Sequence, residues 1–311
     1  MKEQIHRDVL EFPPLLRKLG LSYLRERHLL PHDTPVIGIP LYLPYWLADA
    51  FNFENKESVC NALSMGSLYI TLSVEIKDYI MDNPKADLNF LCLSDAFLNR
   101  SIRLYQSLFS HESEFWGLFE QYMQELYRFI IWEKGKPFLR IDPLSDKSLM
   151  LIKKQTSFLK PTAAALTLLG NAKHQINRLS NMLEHYHIAL KLVDDFVDWE
   201  DDLIKENVTS FLCLALNWLG KPTLKSVTHD EINRYILDSS TVQLLFEKSI
   251  YHITLAKKNI KNINCPYMID FLDFNYAAYI RMRDDVGRKQ HVFHSLVKIL
   301  NDNSNLLNNR L

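Results

Sequence analysis

Apolar side chains recur every three or four positions over most of the 311 residues, the period of helices that bury one face. Residues 1–30 predict an amphipathic helical pair: Val9, Leu10, Phe12, Leu15, Leu16, Leu19, Leu21 and Leu24 are interspersed with basic residues. Pro13-Pro14 can open the second helix, since proline is tolerated in a first turn. Pro31–Pro44 predicts a connection or a short broken helix, and Tyr45–Asn52 the start of another. A long helix is predicted over Asn55–Met81, stopping at Asn83-Pro84. Two more follow over Leu88–Phe109 and Glu112–Glu133, the second closed by Lys134-Gly-Lys136-Pro137. Asp142-Pro143 and Ser145 predict a turn and an N-cap for a helix through Lys153 and Lys154 that Pro161 interrupts, ahead of the small apolar run Ala163–Gly170.

In the second half, Asn177–Ile204 predicts one long helix and Val208–Leu219 a shorter one broken by Gly220-Lys-Pro222. Thr228 and Glu231 have capping-box spacing for a helix starting near Asp230. Ser239–Ile260, Tyr267–Val286 and His291–Leu300 complete the helices, and residues 301–311 are expected to form a frayed, Asn-rich tail. No strand alternation, internal repeat or composition shift divides the chain. The expectation is one all-α domain over residues 1–311, a helical bundle of ten or more helices.

Composition narrows the function classes. The chain is 47% hydrophobic and 23% charged, with a formal net charge of −1. That describes a globular core with no global field toward nucleic acid. Only 8 glycines fit poorly with a Gly-rich nucleotide-binding α/β fold. Cys60, Cys92, Cys213 and Cys265 lie far apart without a CxxC pair, which gives no support to a zinc ribbon or disulfide framework. The N-terminus, Met1-Lys-Glu-Gln-Ile-His-Arg-Asp, lacks the apolar core of a signal peptide, and the most apolar stretch, Pro35–Phe51, is proline-interrupted and short for a membrane span. The expected protein is soluble and cytoplasmic, without a transmembrane segment; a homodimer is the base-rate assembly.

Two acidic stretches interrupt the apolar pattern. In Leu192-Val-Asp-Asp-Phe-Val-Asp-Trp-Glu-Asp-Asp-Leu203, the residues Asp195, Asp198 and Asp202 are spaced i, i+3, i+7 and are expected to share one helix face. Glu75, Asp78 and Asp82 repeat that spacing late in the helix predicted over Asn55–Met81. A solvated acidic face is the ordinary alternative, but Leu192, Val193, Phe196, Val197 and Trp199 argue against it here. A like-charged pair at about 4 Å costs roughly 4 kcal/mol at an effective dielectric of about 20. Such a face persists where hard cations such as Mg²⁺ neutralise it. A di-iron centre would need two Glu-x-x-His pairs, and only Glu184–His187 has that spacing. Mg²⁺ instead suits a phosphate-bearing substrate, which also needs cations; among Lys153, Lys154, Lys160, Lys191, Arg281, Arg283, Arg288 and Lys289, the residues Lys160 and Lys191 are the candidates.

Phe158-Leu-Lys160-Pro-Thr162-Ala-Ala-Ala-Leu, Gly170 and Leu190-Lys-Leu-Val-Asp194-Asp-Phe-Val-Asp198 together resemble the class I isoprenoid synthases, that is, the trans-isoprenyl diphosphate synthases and related terpene synthases. That family shows a Lys-Thr pair, a Gly-bearing helix and a second Asp-Asp-x-x-Asp motif. Lys160 and Thr162 resemble the pair with one residue inserted, and Asp194, Asp195 and Asp198 match the second motif in full. Asp78-Tyr-Ile-Met-Asp82 looks like the first motif with Tyr79 in place of its second Asp. The resemblance spans about residues 50 to 215. It implies an all-α bundle around a central apolar cavity, with three Mg²⁺ clamping a prenyl diphosphate between the two acidic helices. It further implies catalytic roles for Asp78, Asp82, Asp194, Asp195, Asp198 and Lys160, and substrate binding by Lys160, Thr162 and Lys191. The implied metal ligands are Glu75, Asp78, Asp82, Asp194, Asp198 and Asp202.

The departures bear on the reaction. Chain-elongating members follow their first motif with Arg-Arg-Gly, where this chain has Asn83-Pro-Lys85-Ala-Asp; Arg17-Lys18-Leu-Gly20 is a scrambled echo of their N-terminal Gly-Lys…Arg element; and Lys191 replaces a common Gln. The resemblance with these losses implies a Mg²⁺-dependent terpene synthase that ionises one prenyl diphosphate. The alternatives are a prenyltransferase with an altered isopentenyl diphosphate site, or a non-catalytic partner subunit, which Tyr79 favours. The Asn/Ser/Glu motif of bacterial terpene cyclases is absent.

Overall fold

The structure, a computed structural model, describes residues 2–30, 38–83, 85–135 and 141–308, with side chains through residue 297. Fourteen α-helices and no strand occur among them. They are α1 (Lys2–Leu10), α2 (Pro14–Glu26), α3 (Ile39–Ala48), α4 (Lys56–Asp82), α5 (Phe90–Gln106), α6 (Phe115–Lys134), α7 (Asp146–Ile152), α8 (Lys160–Leu169), α9 (Ile176–Val197), α10 (Trp199–Ile204), α11 (Ser210–Leu219), α12 (His229–Asp238), α13 (Ser240–Ile260) and α14 (Pro266–Asn308). The chain falls into two compact units: Met1–Ile130 with Gln155–Ser180 and Asn262–Met268, and Ile131–Lys154 with Asn181–Lys261 and Ile269–Leu311.

In the first unit, α4 packs along α3, α5 and α8, and α2 packs on α1 and α5. The core gathers Val9, Phe12, Tyr23, Leu72, Ile76 and Phe97, with Phe97 stacked on Tyr69 at 5.7 Å between ring centroids. Fully burying one such ring contributes roughly 1.5–3 kcal/mol. α4 carries serines in this contact because small hydroxyls let helices approach while satisfying themselves: Ser64 donates to the Leu41 carbonyl at 2.6 Å, and Ser73 and Ser94 share a hydrogen bond at 2.9 Å. α4 is long and apolar enough to cross a membrane by composition, yet 67% of its apolar window is buried inside the protein. Gly170 closes α8 against Phe51, whose Cβ lies 2.7 Å from where a side chain at 170 would begin, so only glycine fits without movement.

In the second unit, α11 packs against α10 and α12. Phe196 meets Phe211 and Phe246 edge to face at 5.3 and 5.0 Å. Thr228 caps α12 through a full capping box with Glu231, as its spacing predicts. Ser145 caps α7, accepting from the Ser148 N–H.

Several boundaries differ from expectation. Pro161 sits in the first turn of α8 and starts that helix rather than interrupting one; a 3₁₀ segment, Lys153–Phe158, separates it from α7. Pro44 lies inside α3 instead of dividing two elements. The segments expected over Tyr267–Val286 and His291–Leu300 are one helix, and α14 continues through Asn308 where a frayed tail was expected; Gly287 is the one weak helix former between residues 286 and 291, and no proline there stops the helix. Pro84, Lys136 and Pro137, read as helix stops, and the first half of the Pro31–Pro44 connection lie outside the described residues.

Candidate functional site

The second acidic stretch sits where a helix breaks. α9 ends at Val197, Asp198 takes φ −95° and ψ 12°, and α10 restarts at Trp199. This corrects the expectation of one helix over Asn177–Ile204 and of Asp195, Asp198 and Asp202 on one face. Asp195 is 2% exposed and turned into the core, while Asp194 and Asp198 are exposed and Asp202 half-buried. The apolar neighbours divide as the sequence suggested, except Val197, which is exposed; Leu192, Val193 and Trp199 are buried.

Asp195 is held from two sides. Its Oδ2 accepts the Ser210 backbone N–H at 2.9 Å, satisfying one of the donors at the start of α11, and its Oδ1 lies 3.0 Å from Lys191 Nζ. Thr209 supplies the cap of the same helix by accepting the Leu212 N–H. Lys191 also faces Glu133 at 3.9 Å. Burial disfavours the Lys191 ammonium, but the Asp195 and Glu133 carboxylates outweigh it and hold its pKa above the ordinary lysine value.

Asp194, Asp198 and Asp202 form the outward part of the stretch. Asp194 is exposed as a residue, but the protein around its carboxyl takes part of its water away; that desolvation first, then the charges of Asp198, Asp195 and Asp202, raise its pKa, with Lys191 opposing. Asp202 is raised by burial and by Asp195 and Asp198, against an Asn207 side-chain hydrogen bond at 2.9 Å. Carboxylates whose charges raise the pKa of Asp194 and Asp202 make a crowded anionic face. Tyr186 and Tyr279, both 4% exposed, are the neighbouring rings, and each feels the charge of Asp194.

In the first unit, Glu75, Asp78 and Asp82 line the last two turns of α4. Glu75 accepts from the Tyr23 hydroxyl at 3.3 Å. Burial raises its pKa; Arg27 and the Tyr23 hydrogen bond oppose, and Asp78 adds to the rise. Asp82 is exposed, and Asn83 closes the helix by donating its side-chain amide to the Tyr79 carbonyl at 2.8 Å. Tyr79, in the position of the missing carboxylate, packs edge-on against Phe90 at 5.8 Å.

Lys160 and Thr162 are both buried. Lys160 Nζ pairs with Glu125 Oε2 at 2.9 Å, lies 5.5 Å from the centroid of the Tyr122 ring, and shares Glu125 with the Ser157 hydroxyl at 3.0 Å. The Thr162 hydroxyl bonds the Tyr105 hydroxyl at 3.1 Å. Glu125 and Glu133 are the partners that sequence reasoning missed: they lie 35 and 58 residues from Lys160 and Lys191, so no local spacing signals them. Lys153, at 2.9 Å, and Lys154, at 3.9 Å, pair with Glu184. Burial, then Lys191, pushes His187 down to about 3, which suits a neutral core imidazole.

No group of three or more His, Cys, Asp or Glu side chains among the described residues is arranged to hold a metal ion by itself. The donor set nevertheless fits Mg²⁺, which keeps waters and is held by one or two carboxylates together with substrate phosphates rather than by an all-protein cage. The crowded face of Asp194, Asp198 and Asp202 is the arrangement a hard cation would relieve.

This is the fold of the class I isoprenoid synthases. Three solved structures share it: geranylgeranyl pyrophosphate synthetase from the archaeon Geoglobus acetivorans, with a TM-score of 0.67, 16% identity and coverage of 88% of this chain and 94% of that one; heptaprenyl diphosphate synthase from Staphylococcus aureus, with 0.64, 11%, 91% and 95%; and an Arabidopsis medium/long-chain prenyl pyrophosphate synthase in its apo form, with 0.58, 14%, 86% and 96%. No family model matches the sequence, and no curated protein matches it.

Proposed function

We propose that this protein is a Mg²⁺-dependent trans-prenyltransferase that ionises an allylic prenyl diphosphate and joins the allyl group to isopentenyl diphosphate. The observation that carries this reading is the fold shared over 86–91% of the chain with three structures named as prenyl diphosphate synthases. In the reaction the allylic C–O bond breaks with its electron pair leaving on diphosphate, the isopentenyl double bond adds to the cation, and a proton is lost. Mg²⁺ supplies Lewis-acid charge to the diphosphate oxygens.

The chain's own residues divide the work. Asp194, Asp198 and Asp202 in the second unit, and Glu75, Asp78 and Asp82 in the first, offer the metal-binding carboxylates. Asp195 and Lys191 are a strut: their ion pair and the Ser210 N–H bond keep the helix break in place, so that Asp194 and Asp198 face outward. Lys160 and Thr162 act through the buried network of Glu125, Ser157 and Tyr105, which sets where α8 begins. The chain works in the cytoplasm as one catalytic domain and pairs as a homodimer.

A second reading, a terpene synthase using one diphosphate, is favoured by the sequence after the first acidic stretch, where the Arg-Arg-Gly of elongating enzymes is missing. Purified protein incubated with Mg²⁺ and prenyl diphosphates of increasing length, with and without isopentenyl diphosphate, separates the readings. A longer diphosphate formed only with isopentenyl diphosphate supports the prenyltransferase. A hydrocarbon or alcohol released without it supports the terpene synthase. No product with any substrate overturns both and leaves a non-catalytic subunit.

A further inference from the structure

Surface cations such as Lys173, Lys205, Lys257 and Arg288 face carboxylates, those of Glu114, Asp201, Asp273 and Asp285. The turn between α1 and α2 is arranged differently. Its carboxylates are drawn to donors in the body of the first unit: Asp8 accepts from the Tyr69 hydroxyl on α4, and Glu11 pairs with Arg100 on α5 at 2.5 Å. Its cations, Arg7, Arg17 and Lys18, are exposed, and none of the three is in an ion pair among the described residues. Arg7 donates to Gln4 on its own helix at 2.9 Å. A chain with a formal net charge of −1 thus presents unbalanced positive charge at this turn.

Apolar side chains stand out at the same place. Leu10, the last residue of α1, is 40% exposed, and Leu15, the second residue of α2, is 86% exposed, more than any other large hydrophobic side chain among the described residues. Pro13 and Pro14 between them are exposed as well. A leucine exposed singly needs no explanation, but two leucines and two prolines in one turn, flanked by cations, form a patch. The turn is also fixed in place. Phe12 is buried edge-on against Phe97 at 6.0 Å, and the Arg17 guanidinium donates twice to the Phe12 carbonyl, each time at 3.2 Å. The patch is therefore presented without any rearrangement of the helices.

An aliphatic tip beside positive charge is complementary to a surface that is both apolar and negative, the boundary between headgroups and acyl chains of an anionic bilayer. Nucleic acid would engage the cations through its phosphates but has no use for an aliphatic tip. We propose that the α1–α2 turn is a membrane-contact surface: Leu10 and Leu15 enter the acyl boundary of an anionic bilayer, and Arg7, Arg17 and Lys18 lie against its headgroup phosphates. The contact is peripheral and reversible, since two leucines and three cations make a weak anchor and the apolar helix α4 is spent on the protein core. This surface is independent of the reaction assigned above and uses none of its residues.

The test is co-sedimentation of the full chain with vesicles of phosphatidylcholine and phosphatidylglycerol in a two-to-one mixture at low salt. The wild type should partition onto these vesicles, far less onto phosphatidylcholine alone, and be released as salt screens the cations. Partitioning should fall at least about tenfold in Leu15→Asp, and about as much in the double variant Arg7→Gln with Lys18→Gln. All three positions are exposed, so the melting temperatures of both variants should match the wild type. No binding to the mixed vesicles, or binding unchanged in either variant, overturns the proposal. Retention of a DNA duplex by a wild type that ignores the vesicles overturns it as well and makes the cations a nucleic-acid surface.

Discussion

The two acidic stretches have the same spacing in sequence and opposite characters in the structure. The first runs along the last turns of an unbroken helix, α4, and ends on an exposed Asp82 with Asn83 closing the carbonyls. The second straddles a break at Asp198, and one of its carboxylates, Asp195, is drawn inside and bound by Lys191 and the Ser210 N–H. The difference originates downstream of each stretch. Beyond Asp202 the chain turns straight back into α11, whose first N–H groups have no partner within the helix and need an acceptor. Asp195 meets that need. Spacing alone therefore does not make a set of carboxylates equivalent: the same motif can hold a structural member and several outward ones.

Removing the inward member should have the largest effect. Asp195→Ala takes the closest anion from the half-buried Lys191 ammonium, leaving Glu133 at 3.9 Å and the charge of Asp194, and opens the start of α11, so urea unfolding should show a loss of about 3–5 kcal/mol. Asp82→Ala, at the exposed end of the other stretch, should cost less than about 1 kcal/mol. Equal losses would erase the distinction between the stretches. A smaller effect tests the same junction: Thr209→Ala removes the side-chain cap of α11 and should cost about 1 kcal/mol, and combined with Asp195→Ala it should be non-additive, since both serve one helix terminus.

The subtlest effect is in the pH dependence. Asp194 and Asp202 have raised pKa values in the folded chain, by partial desolvation of their carboxyls first and then by neighbouring carboxylates. The folded state thus binds their protons more tightly than the unfolded state does. Their contribution to stability is fullest at low pH and is lost as pH rises from the ordinary aspartate value of about 4 through the higher folded value. Without added metal, Asp194→Asn should melt at a temperature that gains on the wild type as pH climbs through that window, while Mg²⁺-dependent turnover collapses. A wild type that gains on the variant instead would make Asp194 a salt-bridge residue like Asp195.

The local signals for the helices were plain in the chain. Thr228-x-x-Glu231 is a reciprocal cap whose partners lie three residues apart, and it forms as read. The long apolar period of residues 55–81 became α4 within a residue at each end. The small residues of 163–170 became a helix buried through Thr167 and closed by Gly170. The resemblance carried by Lys160, Thr162 and Asp194–Asp198 pointed to the fold that the three solved structures share. It placed the chain-elongating activity in their names second, as the alternative, because the sequence departures favoured a single-substrate reaction.

What the sequence determined by itself is what depends on neighbours along the chain: helical period, caps, the stop at Asp82 and the presence of two acidic stretches. Tertiary structure alone decided which charges meet. Lys160 read as a cation for diphosphate, yet it lies buried against Glu125; Lys191 read the same way and holds Asp195 and Glu133. His185 and His252 are 67 residues apart and share one hydrogen bond. The physical reason is one of range. A helix turn is set by contacts three or four residues away, whereas a buried charge is stable only beside a partner that packing brings from elsewhere in the chain, and no spacing rule names that partner in advance.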